Sequence, residues 1–360
     1  MQKQDNAATS PAGNRVLARL RSMAQSNASK TGLNQSKTVN TQSLAKKFIL
    51  QRAISRIFES AYGEMFAMKG GMLMMHLEEV SLFNSRETDD IDVQIPGFDG
   101  AIEDLADIAR KVLGNASLED DGIVFNTDRM GIQSRPDEGV PGGSLTIPAQ
   151  LGTLNVKFKM DVTFDSRPVF DVAETSTIPS ILGDDFPPVT VRRVPFSWTL
   201  ADKVQAQVRH GITSTRLKDF YDMYLIVSKD KADPKQTAEA MRMTFDLFKC
   251  PLPKSVDDIV AFSHDYAVRN AEAWDREKTN RRFAVATPGL VEVCEVLRKA
   301  IGPMLEEANK LHQTPAETYK TTTPVLETIA KRIASMRESN GIDHTARDRH
   351  EVQPSRTPGL

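Results

Sequence analysis

In the stretch Arg86-Glu87-Thr88-Asp89-Asp90-Ile91-Asp92-Val93-Gln94-Ile95-Pro96-Gly97, apolar and polar side chains alternate, with Ile91, Val93 and Ile95 facing one way and Asp90, Asp92 and Gln94 the other. Period-two alternation is the signature of a half-buried strand, and Pro96-Gly97 ends it. Side chains two apart on a strand share a face with Cα atoms about 6.6 Å apart. Two carboxylates so placed repel each other and lose hydration, an arrangement that a cation between them would relieve. Oxygen ligands of this kind suit Mg²⁺ or Mn²⁺.

A second alternation runs over Leu154 to Phe164, placing Val156, Phe158, Met160, Val162 and Phe164 on one face and Lys157, Lys159, Asp161, Thr163 and Asp165 on the other. If this strand lies beside the one carrying Asp90, three carboxylates converge. That is enough for two ions about 3.5–4 Å apart, as in-line phosphoryl chemistry requires. Lys157 and Lys159 are placed to compensate charge. The same pattern also describes the solvated outer face of an antiparallel sheet, so a lone DxD does not decide between the two. Upstream, Lys69-Gly70-Gly71 interrupts the apolar run Met65 to Met75, and we read a short strand, a glycine turn and a helix. Glycines allow the close backbone approach by which loops cradle phosphates, although a plain tight turn has the same composition. Arg86 either meets a phosphate or offsets the neighbouring acids.

The surrounding chain reads as α+β. A helix begins near Leu44, with Phe48, Ile49, Ile54 and Ile57 at helical spacing and Lys46, Lys47, Arg52 and Arg56 between them. Ala101 to Leu113 is a second helix, Gly122 to Asn126 and Gly143 to Ala149 are strands, and Arg135 to Gly143 is turn-rich. Beyond Pro195 the pattern is helical, over Thr199–Arg209, Thr215–Val227, Pro234–Phe248, Val256–Arg276 and Leu290–Lys310. The expected organisation is a polar, loosely ordered segment at 1–43 with at most a short helix near Arg15–Gln25, a catalytic domain at 44–195, a helical domain at 196–335 that completes the site, and a disordered tail at 336–360. On the helices, Thr199-Leu200-Ala201-Asp202-Lys203 precedes Arg216-Leu217-Lys218-Asp219-Phe220-Tyr221-Asp222. Asp219 and Asp222 there share a face with Arg216, and Lys218 can reach Asp222.

Composition narrows the function classes. The 46 Lys and Arg nearly cancel the 48 Asp and Glu, so no global field marks a nucleic-acid or membrane binder. Cys250 and Cys294 have no zinc or disulfide spacing, and the six histidines form no metal motif. The residues Met1 to Asn14 are too polar for a secretory signal and no apolar run spans a bilayer, so the expected compartment is the cytoplasm.

Together these segments resemble the AbiEii-type nucleotidyltransferase toxins of bacterial abortive-infection and type IV toxin–antitoxin systems, over about Leu44 to Val227. The Gly-Gly turn, the arginine before a DxD strand, the Asp of a later strand, and a helix lysine followed by R-x-K-D-h-x-D look like Gly70-Gly71, Arg86 with Asp90 and Asp92, Asp161, and Lys203 with Arg216, Lys218, Asp219 and Asp222. The resemblance implies a nucleotidyltransferase-like mixed sheet with flanking helices and a helical C-terminal domain. It implies metal at Asp90, Asp92 and Asp161, an NTP held by Lys69, Gly70, Gly71, Arg86, Lys203, Arg216 and Lys218, and Asp219 near the nucleophile. It also implies an RNA acceptor such as a tRNA 3′ end and a cognate antitoxin. Met72 stands where the family usually has Ser or Thr, and the span from Gly71 to Asp90 is several residues long. Two other readings of the same site are an aminoglycoside-modifying transferase, which favours an acidic cleft, and an NTP-binding module without turnover. The basic cluster Arg192, Arg193, Lys203, Arg209, Arg216 and Lys218 leans towards RNA.

Overall fold

A computed structural model describes residues 10–31, 40–78, 85, 87–96, 102–114, 120–135, 140–165, 167, 173–280, 283, 285–312, 331 and 335. The chain divides into two units, Met1–Thr321 and Thr322–Leu360, and all that follows concerns the first. The expected tail at 336–360 and Arg86 lie outside the described residues.

The described residues form one mixed eight-stranded sheet with flanking helices, followed by a helical region. Its strands are β1 (Ala67–Lys69), β2 (Asp90–Pro96), β3 (Ile123–Phe125), β4 (Gly131–Arg135), β5 (Gly142–Leu151), β6 (Leu154–Asp165), β7 (Glu174–Ile178) and β8 (Val189–Arg193), in the order β3-β5-β6-β2-β1-β8-β7 with β4 paired to β5. Two pairings place the site. β2 and β6 run parallel, with Asp92 opposite Asp161, and β1 runs antiparallel to β2, with Lys69 opposite Asp92. The apolar faces of these strands are fully covered: Ile91, Val93, Ile95 and Val162 have no exposure at all. Helix α2 (Thr41–Phe58), started by the Asn40 side chain accepting from Ser43 N–H, packs on β2, β6 and β8, and helix α4 (Ile102–Gly114) packs on β3, β4 and β5.

Several elements depart from the sequence reading. The segment around Arg15–Gln25 is a 21-residue helix, α1 (Pro11–Thr31), and it is docked: Val16, Leu17 and Leu20 are buried against the body. Its approach depends on Gly13, where a Cβ would lie 2.6 Å from backbone atoms of Gly122 and of Gly152. Just ahead of the turn-rich stretch Arg135 to Gly143 lies the strand β4 (Gly131–Arg135), whose five residues are all exposed and so show no alternation. The polar strand β7 (Glu174–Ile178) buries only Ile178 and shows no alternation either. On α2, Lys47 and Arg52 are buried instead of facing water: Lys47 Nζ donates to Ser85 O at 2.6 Å, and Arg52 Nε to Asp121 at 3.1 Å. Arg56 joins them on Asp121 at 2.9 Å, so one carboxylate ties α2 to the start of β3.

The helical region comprises α5 (Phe196–His210), α6 (Leu217–Ser228), α7 (Pro234–Leu247), α8 (His264–Arg269), α9 (Ala271–Thr279) and α10 (Leu290–His312). Val256 to Arg276, read as one helix, is broken into two short 3-10 turns followed by α8 and α9. Ser255 and Ser263 hold extended backbones there and cap the next turn, giving the chain new starts where apolar spacing alone suggests continuity.

Candidate active site

Side chains on strand faces meet only if the strands are neighbours in the right register, and β2 and β6 satisfy both conditions. Asp90, Asp92 and Asp161 each offer a carboxylate oxygen, and these atoms lie within 4.8 Å of one another. Burial, first, and the Asp90 carboxylate push the Asp92 carboxyl up to about 6; Lys69 opposes this, Asp161 adds to it and Lys203 opposes it. The cluster is therefore a place where negative charge is unwelcome unless matched. Thr88 Oγ1 donates to Asp90 at 3.1 Å, and Arg135 reaches within 3.9 Å of Asp161. The donor set is all oxygen and converges on one point, which fits a hard divalent cation.

The glycine turn closes on this cluster. Gly70 has φ +76°, a conformation L side chains rarely adopt, and a Cβ there would fall 1.9 Å from Asp92 Oδ2. The turn thus requires glycine twice over, for its backbone and for the carboxylate pressed against it. Lys69, one residue earlier, donates to Thr163 Oγ1 at 2.8 Å. Gly71 begins α3 (Gly71–Glu78), whose first backbone N–H groups have no acceptor within the helix. Met72 is buried in its first turn and offers no hydroxyl.

Facing the strands, α5 and α6 carry a cluster of paired charges. Lys203 Nζ lies 2.6 Å from Asp219 and 2.8 Å from Asp222, and Arg216 Nε lies 2.5 Å from the other oxygen of Asp219. Lys218 was the expected cation for Asp222; the ammonium found there is that of Lys203, from the neighbouring helix. Burial works to lower the Lys203 pKa, but the Asp219 and Asp222 carboxylates outweigh it and hold the ammonium well above its usual range. For Asp219, burial raises the pKa and is outweighed by Lys203 and Arg216, which hold it below the ordinary carboxylate value. Next to Lys203, Asp202 is paired with Arg167 at 2.7 Å, and Arg167 in turn donates to Thr244. Sequence reasoning assigned Asp202, Arg167, Thr163 and Arg135 no part in the site because their partners are 35 to 94 residues away or across the sheet.

The strand acids, the glycine turn and the charged cluster around Lys203 open on one cleft of about 720 Å³. Lys69, Gly70, Gly71, Asp90, Asp92, Asp161, Lys203, Arg216, Lys218 and Asp219 all line it. Of the sequence candidates only Arg86 is missing, because it is not among the described residues.

Strand-borne acids beside a glycine turn, on a mixed sheet with helices closing the cleft, define the nucleotidyltransferases as a class. Residues 52–288 match the family described as the nucleotidyl transferase AbiEii toxin of type IV toxin–antitoxin systems, and the chain belongs to that family. No curated protein sequence matches it. Two Helicobacter pylori crystal structures are similar at low identity. JHP933 is 11% identical, with a TM-score of 0.40 over 83% of this chain and 98% of its own. A second chain, named a candidate nucleotidyltransferase, is 13% identical, with a TM-score of 0.39 over 83% of this chain and 99% of its own. No helix among the described residues is long and apolar enough to cross a membrane.

Proposed function

We propose that the protein moves a nucleoside monophosphate from an NTP to the 3′ hydroxyl of an RNA such as tRNA, releases pyrophosphate, and thereby acts in the cytoplasm as the toxin partner of a cognate antitoxin. The observation that carries this reading is the convergence of Asp90, Asp92 and Asp161 beside Gly70 in one cleft. Asp90, Asp92 and Asp161 would hold Mg²⁺ or Mn²⁺. When bound, such an ion supplies Lewis-acid stabilisation of charge on the phosphoryl oxygens.

The chain's own residues do the rest. Gly70 and Gly71 present backbone N–H groups to the triphosphate, and Lys69 brings a cation to the same wall. Lys203, kept protonated by its two carboxylates, places a second cation within electrostatic reach of Asp92. Arg216 and Lys218 flank it, and Arg86 precedes the acid strand. The resemblance puts Asp219 near the nucleophile. Two cations already engage its carboxylate and weaken it as a base, so we assign Asp219 the task of positioning Lys203. Asp161, opposite Asp92 and away from the glycine turn, is the acid nearest the acceptor side.

The test is to incubate purified protein with each labelled NTP, Mg²⁺ or Mn²⁺, and total tRNA. Labelled RNA is expected from the wild type and none from Asp90→Ala or Asp92→Ala, with growth inhibition lost in parallel. A folded Asp90→Ala/Asp92→Ala variant as toxic as the wild type sinks the assignment.

A further inference from the structure

The cations of the helical wall and of the far strand β8 are largely spoken for. Lys203 and Arg216 are held by Asp219 and Asp222, Arg193 is paired with Glu174 and lies over the Phe196 ring, and Arg192 donates to Glu64 O. The sheet offers a different supply. On β6, Lys157 and Lys159 are exposed on the face that carries Asp161, two and four residues before it, and among the described residues neither has an ion-pair partner. Strand geometry puts successive members of this row about 6.6 Å apart, so Lys157 stands about 13 Å from Asp161. Register carries the same face outward. Asp161 pairs with Ser144 and Ser144 with Gln133, while Thr163 pairs with Gly142 and Gly142 with Arg135. The opposite faces of β5 and β6, with Leu145, Ile147, Val156 and Phe158, are buried. The result is an open, polar and basic ledge that ends at the acid cluster, on the side away from Gly70.

We infer that this ledge of β4, β5 and β6 seats the last nucleotides of a single-stranded RNA 3′ end, with Lys157, Lys159 and Arg135 meeting its phosphates and the terminal hydroxyl arriving at Asp161. Charge complementarity and continuity with the acids select this occupant. The triphosphate has its own wall at Lys69–Gly71 and Lys203, and what remains open is a row of cations leading to the third acid. Arg135, 40% exposed and 3.9 Å from Asp161, is placed at the final phosphate. The inference rests on the transferase reading and deepens it by naming the acceptor path.

The experiment is fluorescence anisotropy of a labelled single-stranded oligoribonucleotide on the full chain without NTP, as a function of salt, beside calorimetry of NTP binding. Each phosphate contact on a single strand contributes about 0.7 to the slope of log K against log salt. Lys157→Gln/Lys159→Gln is expected to weaken RNA binding at least about tenfold at low salt and flatten that slope by about 1.4, leaving NTP affinity within about twofold. Arg135→Ala is expected to raise KM for RNA while KM for NTP stays put. Wild-type protein that does not bind the oligonucleotide, or a double variant with unchanged slope and affinity, overturns the ledge. So does a double variant that binds RNA normally but loses only a protein partner. If the ledge variants lose RNA binding while the wild type transfers no NMP from any NTP, the transferase reading fails and the ledge stands.

Discussion

The charges of Asp90, Lys69, Asp161 and Lys203 all bear on Asp92, and Gly70 shows how tightly its position is set. An alanine at 70 would meet the Asp92 carboxylate and would also hold a left-handed backbone that costs about 1–2 kcal/mol. Gly70→Ala is therefore expected to fold with a modest loss of stability yet lose at least about 10²-fold in transfer, since displacing a ligand by about 1 Å has that effect. A variant within threefold of wild type by single-turnover labelling contradicts this. Lys47 allows a second prediction at this scale. Burial, against Glu78 and Glu87, pulls its pKa down to about 8, whereas the unfolded chain titrates at 10.5. Between these values the unfolded state binds more protons, so the native state gains stability as pH rises through that window. Relative to Lys47→Met, the wild type should gain up to about 3 kcal/mol between pH 7.5 and 10.5, read from urea midpoints. A flat difference would place the ammonium in a better-solvated setting.

The helix pair α5 and α6 is joined by one buried ammonium serving two carboxylates. Removing that ammonium strands both, and breaking a buried pair from one side costs roughly 3–5 kcal/mol. Lys203→Ala is expected to lose that amount in chemical denaturation. Lys203→Met combined with Asp219→Asn and Asp222→Asn should recover most of it without recovering activity. A loss under about 1 kcal/mol for the single variant would show that the charges rearrange. Much of this level was legible from spacing. The alternations of β2 and β6, the glycine turn and α5 to α7 were all readable, because each declares itself within one turn or a few alternating residues. β4 and β7 were not, being edge strands without a buried face, and the pairing of Asp222 with Lys203 was not, because nothing local favours a lysine on another helix over Lys218 four residues earlier. The burial of Arg52 and Lys47 on α2 was not legible for a related reason: Asp121 and Ser85, which let them be buried, are far off in sequence.

For the whole molecule, a cation that binds only the native state must raise its melting temperature. At about 100 times its Kd the gain is about 2.7 kcal/mol. Mn²⁺ should therefore raise the unfolding temperature by several degrees in the wild type, reversibly with EDTA, and leave Asp92→Asn or Asp161→Asn unmoved. An equal shift in those variants would locate the ion elsewhere. The α+β class and the sheet-then-helix order were readable from the change of periodicity at Pro195. The docking of α1 was not, because it depends on glycine backbones meeting at Gly13, Gly122 and Gly152, which no composition announces.

The parallel pairing of β2 with β6 also sets when, during synthesis, the acid cluster can first exist. Asp92 and Asp161 are separated by the whole of α4, β3, β4 and β5, so a growing polypeptide carries two of the three acids long before it carries the third. Until synthesis has passed Asp165 and both strands have locked side by side, the three-carboxylate cluster does not exist, and an unfinished or prematurely released chain carries no assembled acid site.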